Sequence, residues 1–244
     1  MRPRRAMVLA AGLGTRMRPL TETVPKPLIE VGGRTMLDRA LDRLEAFGVD
    51  EVVVNRHHLG DRIESHLAAR PSPNTTVRHE EVLLDTGGGV ANALDRLGDA
   101  PFFAVNADIA WLDGPTPALE RLVRSWDDAA MDALLLMHRC VGAHGYDGRG
   151  DYFMDADGAL HRRAARDVSP YVFTGVQLLH PRLFDAAPER RFSLNLLFDR
   201  AEGAGRLFGV VHDGEWFHIG TPAALETAED RLLGRPGARD FHVG

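Results

Sequence analysis

The chain has 244 residues, with 29 Lys and Arg against 35 Asp and Glu and a net charge of −6. That balance argues against a nucleic-acid or anionic-membrane partner, which selects a basic excess. The single cysteine, Cys140, excludes an intrachain disulfide framework and any multi-cysteine zinc or iron–sulfur site, and fits a reducing, cytoplasmic setting.

Arg2, Arg4 and Arg5 precede an apolar run from Ala6 to Gly12, the layout of a signal peptide. The run is short, however, and Gly14, Arg16 and Arg18 follow at once, so Ala6–Ala10 reads as a buried first strand. No stretch reaches the roughly 18 apolar residues of a membrane span. Thr35 to Phe47 places Leu37, Ala40, Leu41 and Leu44 at helical spacing, with Thr35 and Asp38 as a cap and Gly48 as the stop. Glu51–Asn55 is β-branched and predicts a strand. Leu59–Ala69 predicts a helix, Thr75–His79 a strand, Gly89–Leu97 a short helix and Phe102–Val105 a strand. Pro115–Trp126 predicts a helix and Ala133–Met137 a strand. Strands alternating with helices imply βαβ units and a mostly parallel sheet covered on both faces: an α/β, Rossmann-like three-layer αβα fold.

The second half is less regular. Gly142–Gly150 reads as a loop, and Asp151–Met154 with Ala159–Arg163 as a hairpin around Asp157-Gly158. Tyr171–Leu179 predicts a strand, Leu194–Glu202 a helix and Leu207–Val211 a strand. Thr221-Pro222 opens a helix to Leu233. Residues 1–233 are expected to form a single domain, with 234–244 a mobile Gly/Pro-rich tail.

Chemistry concentrates after the first strand, in Leu9-Ala10-Ala11-Gly12-Leu13-Gly14-Thr15-Arg16-Met17-Arg18-Pro19-Leu20. Open α/β folds bind ligands at that strand edge. Two glycines let the backbone approach a ligand, successive N–H groups form an anion nest, and Arg16 can grip phosphate oxygens with its fork. It is neither a Walker A loop, lacking Gly-Lys-Ser/Thr, nor the dinucleotide fingerprint, whose third glycine is Met17 here. A Gly-x-Gly alone is also an ordinary tight turn. In Pro25-Lys26-Pro27 two prolines fix the backbone around a lysine, giving either a presented phosphate ligand or an exposed lysine in a proline turn.

Together, the Leu9–Leu20 segment and Pro25-Lys26-Pro27-Leu28 resemble the hallmark of the sugar-1-phosphate nucleotidyltransferases. Asp85-Thr86-Gly87-Gly88-Gly89 resembles the glycine turn that this family lays against nucleobase and sugar. Asn106-Ala107-Asp108 resembles its magnesium-binding strand end, Phe173-Thr174-Gly175 its sugar-contacting strand, and Trp216-Phe217-His218-Ile219-Gly220-Thr221 its Trp-x-Asp-Ile/Val-Gly-Thr. The short length and Gly148-Arg149-Gly150-Asp151-Tyr152 look similar to the branch that uridylylates N-acetylmuramate α-1-phosphate in cell-wall recycling.

The resemblance implies Mg²⁺ as cofactor, and UTP (or another NTP) and a sugar 1-phosphate as partners. It implies Arg16, Lys26 and Asp108 as catalytic. It assigns the nucleotide to Ala11, Gly12, Gly14, Thr15, Arg16, Lys26, Thr86, Gly87 and Asn106, the sugar to Asp151, Thr174, Gly175 and Asn195, and the metal to Asp108 and His218. The neighbouring alternatives are a mannose- or glucose-1-phosphate nucleotidyltransferase and, in another class, a nucleotide-sugar-binding regulator without turnover.

Two departures stand out. His218 replaces the family's second metal-binding aspartate. Imidazole suits softer metals, so His218 is read as contacting a metal-held water or a phosphate, with direct ligation and a structural role as the alternatives. The Arg162-Arg163…Arg166 cluster stands where larger relatives carry Glu-Lys-Pro. It reads as a solvated loop face, His57-His58 as surface or structural residues, and Trp111 and Trp126 as packing.

Overall fold

The computed structural model describes residues 2–234; apart from Gly234, the expected tail lies outside the described residues. The chain opens with β1 (Arg5–Leu9) and a loop of short 3-10 turns, then the two-residue strands β2 (Glu30–Val31) and β3 (Arg34–Thr35) and helix α1 (Met36–Phe47). Next come β4 (Glu51–Arg56), α2 (Gly60–Ala68), β5 (Asn74–His79), α3 (Asp85–Ala91), α4 (Leu94–Leu97), β6 (Phe102–Asn106), β7 (Ile109–Leu112) and α5 (Ala118–Ser125). The remainder is β8 (Ala133–Arg139), β9 (Ala143–His144), β10 (Tyr152–Met154), β11 (Leu160–Arg162), β12 (Tyr171–Leu179), α6 (Leu194–Gly203), β13 (Leu207–Val211), β14 (Glu215–His218) and α7 (Pro222–Leu232).

The local signals work as read. The Thr35 hydroxyl accepts the Asp38 N–H at 3.0 Å, and Gly48 ends α1 at a positive φ of 99°, a conformation that favours glycine. Thr221 caps α7 through Ala224 N–H, with Pro222 in its first turn. Two helices differ from expectation. Pro115–Trp126 narrows to α5 because proline disfavours helical φ/ψ in the residue before it, and Asp113 accepts the Ala118 N–H at 2.9 Å as a local cap. Gly89–Leu97 becomes two pieces: α3 starts earlier, at Asp85, and takes in all three glycines, while α4 follows a break at Asn92-Ala93.

Strands β5, β4, β1 and β6 lie parallel, as βαβ units require. β12 then runs antiparallel to β6, β8 antiparallel to β12, and β13 parallel to β8, with the β10–β11 hairpin on the other end of β12. The sheet is therefore parallel in its first half and mixed in its second. Period-two alternation sends Ala6 and Val8 of β1, and Phe103 and Val105 of β6, to one face under α1, α2 and α5. Met7, Phe102 and Ala104 face the opposite layer of α3, α4 and α6.

A second small sheet, absent from the sequence reading, orders β7-β14-β9. It turns part of the expected Gly142–Gly150 loop into β9. α7 packs over this sheet and the turns after β1, burying Met17, Phe217 and Ile219. Its register puts His218 opposite Ile109, the residue after Asp108, and the Ile219 N–H donates to the Asp108 carbonyl at 3.3 Å.

Candidate active site

Leu9 pairs with Asn55 on one side and Asn106 on the other, so three strand ends share one edge. The loop leaving β1 crosses that edge. The Ala10 N–H is held by Asn55 Oδ1 at 2.7 Å, and the Met17 N–H by the Gly14 carbonyl at 2.9 Å. Between these anchors, the N–H groups from Ala11 to Gly14 make no hydrogen bond within the described residues. Gly14 has a φ of +62°, and a Cβ there would come 2.8 Å from the Thr21 methyl, so only glycine fits. The result is a run of open backbone donors, which an anion nest requires. Thr15 and Arg16 follow, exposed at its rim.

Beside the loop lies a cavity of about 260 Å³ lined by Ala11, Gly12, Lys26, Thr86, Asn106 and Asp108 among others. Lys26 is buried, at 8% exposure, so the reading of an exposed lysine in a proline turn is wrong. A buried lysine needs a partner, and Lys26 Nζ donates to Asp108 Oδ2 at 2.8 Å. Burial pushes the Asp108 carboxyl upward, but the Lys26 ammonium and its hydrogen bond, together with His218 and Arg16, more than offset this and hold it below the usual carboxylate range. The small sheet brings His218 into the same cluster. Burial, aided by Lys26 and Arg16, holds its imidazole below the ordinary histidine value despite the nearby Asp108, so the ring is neutral at pH 7. Gly220 admits this packing: a Cβ there would lie 2.6 Å from His218 Nε2 and 3.4 Å from Arg16 Nη1. Arg16, Lys26, Asp108 and His218, separated by up to 202 positions in the chain, thus meet at one place.

The glycines at 87, 88 and 89 are not a turn but the middle of α3. The Gly87 and Gly88 N–H groups both donate to the Phe192 carbonyl, at 3.0 and 3.1 Å. A Cβ on Gly87 would meet the Phe192 ring at 2.3 Å. The Thr86 hydroxyl accepts the Leu194 N–H at 3.0 Å and so ties this wall to the start of α6. Asn106 lines the cavity and lies against Gly175, whose φ of +85° sits in the irregular stretch of β12.

The other proposed sugar residues are spread out. Thr174 is fully buried and its hydroxyl donates to the Leu136 carbonyl at 2.7 Å. Its assignment as a sugar contact is therefore corrected: the side chain supports β12 from within. Asp151 Oδ2 accepts the Phe173 N–H at 2.9 Å, fixing the strand end beside Gly175. Asn195 is exposed on the first turn of α6 and accepts from Arg162 at 3.3 Å. Arg162 also grips Asp199 and lies over the Tyr152 ring, so it is a structural residue, not part of a solvated face. His57 bonds the Glu80 carbonyl and Trp111 is buried, both as expected of structural residues.

Sequence reasoning missed Asn55, Glu80 and Arg191, which also line the cavity beside Asp85. A polar residue closing the apolar strand Glu51–Asn55 was the available signal for Asn55, because ligands gather at such strand ends. Glu80 and Arg191 come from positions more than a hundred residues apart and leave no local pattern.

Open backbone donors on one wall and a lysine–aspartate pair on the other suit a polyphosphate, which places the chain among the α/β nucleotidyltransferases. The chain belongs to the MobA-like NTP transferase family, whose domain it matches over residues 6–213. It is 41% identical over 235 residues to the N-acetylmuramate alpha-1-phosphate uridylyltransferase of Caulobacter vibrioides, covering 94% of this chain and 97% of that protein. Identity to the protein of the same name from Neisseria meningitidis serogroup B is 32% over 229 residues, covering 92% and 96%. The crystal structure of HddC from Yersinia pseudotuberculosis complexed with GMP-PN shares the fold, with a TM-score of 0.75 at 23% identity over 93% of this chain and 99% of that one. Among the described residues no helix is long and apolar enough to cross a membrane.

Proposed function

We propose that the chain transfers a uridylyl group from UTP to N-acetylmuramate α-1-phosphate, releasing pyrophosphate. The observation that carries nucleotidyl transfer is the pair of buried Lys26 and half-buried Asp108 in the cavity beside the open N–H groups of the loop after β1. The choice of UTP and of this sugar is supported by the two relatives of that name, which match over nearly their whole length.

The chemistry needs no proton abstraction. The sugar phosphate is already an anion at neutral pH. One of its oxygens bonds to the α-phosphorus while the bond from that phosphorus to the bridging oxygen of the β-phosphate breaks. The protein has to align two anions and neutralise the charge that develops, through positioning and electrostatics. The loop N–H groups and Arg16 hold the triphosphate, and the proline-flanked Lys26, already positioned by Asp108, sits near its phosphates.

The donor set here, one hard carboxylate with a neutral imidazole nearby and no third ligand among the described residues, fits a Mg²⁺ ion completed by waters and substrate phosphates. Asp108 would hold it, with His218 contacting one of its waters or a phosphate. When bound, the ion would neutralise phosphate charge.

A panel of nucleoside triphosphates crossed with sugar 1-phosphates, read by pyrophosphate release, tests the reading. UTP with N-acetylmuramate α-1-phosphate is expected to give the highest kcat/KM. Turnover of a hexose 1-phosphate with N-acetylmuramate α-1-phosphate inert would replace the sugar, and no turnover with any pair would favour a binding protein.

Asp151 supplies a further expectation. Its carboxylate holds the strand end that leads to Gly175. Asp151→Ala should raise the sugar-phosphate KM about tenfold, the scale of one hydrogen bond to a charged group, and leave the UTP KM within about twofold. Equal increases for both substrates would reject its place on the sugar side.

A further inference from the structure

We propose that Asn55 and Glu80 are a positioning pair that locks the loop after β1 to the loop before α3 and thereby sets affinity for the nucleoside triphosphate. The inference rests on the reading of this cavity as the triphosphate site. Asn55 is the last but one residue of β4, in register with Leu9, and Glu80 follows β5 directly. Both side chains are buried, at 3% and 2% exposure, and both line the cavity.

Three hydrogen bonds run in series between the two loops. Asn55 Oδ1 accepts the Ala10 N–H at 2.7 Å, Asn55 Nδ2 donates to Glu80 Oε1 at 2.7 Å, and Glu80 Oε2 accepts the Leu84 N–H at 2.9 Å. One end of the series stops immediately before the open donors of Ala11–Gly14. The other stops immediately before Asp85, whose φ of +64° starts the turn carrying Thr86. Gly89 leaves the pair its space, since a Cβ there would come 2.8 Å from Asn55 Nδ2 and 3.0 Å from Glu80 Oε1.

Stability alone does not call for such a pair. Burying a carboxylate is costly, and well-packed apolar side chains usually serve a core at least as well. What the pair adds is direction: each donor meets one acceptor, and the two walls cannot slide independently.

The polarity also makes the arrangement testable, because it can be mirrored. Asn55→Asp alone puts two carboxylates within hydrogen-bond reach. Glu80→Gln alone forces an amide N–H against either Asn55 Nδ2 or the Leu84 N–H. In Asn55→Asp/Glu80→Gln, the new carboxylate accepts from Ala10 and from the new amide, whose oxygen accepts from Leu84, so all three bonds return.

The experiment is UTP binding by calorimetry and steady-state kinetics on the full-length wild type, both single variants and the double variant, with thermal unfolding of each. Each single variant is expected to raise the UTP Kd and KM about tenfold or more, with a much smaller change in the sugar-phosphate KM, and the double variant to return within about threefold of wild type. If Asn55→Asp does not fold, Glu80→Gln against the double variant reads the same coupling.

Single variants that bind UTP as wild type does would overturn the inference. So would a double variant that recovers its unfolding temperature but not its UTP affinity, since Glu80 would then act through its own charge. A wild type that binds no nucleoside triphosphate would instead bring down the reading of the cavity itself.

Discussion

Lys26→Ala and Arg16→Ala are each expected to lower kcat/KM by about two orders of magnitude or more, the scale of losing one preorganised contact to transition-state charge. The two should differ in kind. Lys26 is buried, bracketed by Pro25 and Pro27, and already bonded to Asp108 at 2.8 Å, so its ammonium is positioned before substrate arrives. Most of its loss should fall on kcat. Arg16 is exposed on the rim, free to meet the triphosphate as it enters, so its loss should divide between the UTP KM and kcat. Lys26→Ala also leaves Asp108 without its counter-charge, so circular dichroism and thermal unfolding accompany the kinetics. Near wild-type turnover in both variants would sink the proposed mechanism.

The parts of this molecule legible in its sequence are those fixed by short-range rules. Thr35 and Gly48 bracket α1 because a hydroxyl caps the first turn and glycine takes the positive φ at the end. The βαβ order followed from apolar runs alternating with helical spacing. Tertiary packing overrode such rules elsewhere. Gly87 and Gly88 fell outside the expected Gly89–Leu97 helix, consistent with glycine being a poor helix former, yet both lie within α3, packed so close to Phe192 that no Cβ fits at Gly87.

The small sheet was illegible for a different reason. β9 has two residues, and β14 pairs with β7 about a hundred positions earlier in the chain. No local periodicity encodes such a pairing.

The site divides along the same line. Arg16, Lys26, Asp108 and His218 were singled out through motifs, and the structure brings the four together, although only the small sheet explains how His218 reaches Asp108. Asn55 and Glu80 sit 25 positions apart on separate strand ends. Their roles exist only once those ends lie side by side. Thr174 shows the converse: it stands in a motif, but its place in the strand turns its hydroxyl inward to the Leu136 carbonyl.

Asp108→Asn is expected to lower kcat by about three orders of magnitude or more at any Mg²⁺ concentration, beyond the loss of a single hydrogen-bond donor. The amide is isosteric and its oxygen can still accept from Lys26 at the present 2.8 Å, but the buried ammonium loses its counter-charge, so thermal unfolding accompanies the kinetics here as well. His218 separates from Asp108 in this comparison. His218→Ala should cost far less, because the ring is neutral at pH 7 and brings no charge to the phosphates. His218→Asp would add a second carboxylate beside Asp108. In the free enzyme the two anions repel, so the variant should unfold at a lower temperature without a divalent cation. With Mg²⁺ and UTP it should remain active and saturate at a lower Mg²⁺ concentration, since two carboxylates bind a hard cation more tightly than one. Titrating Mg²⁺ and Mn²⁺ against all three variants decides among the roles open to His218. A Mn²⁺ preference in wild type that disappears in His218→Asp would assign the imidazole to direct ligation. Unchanged activity and metal dependence in His218→Ala would leave it a structural role under Gly220, with Asp108 as the one side chain on which the metal depends.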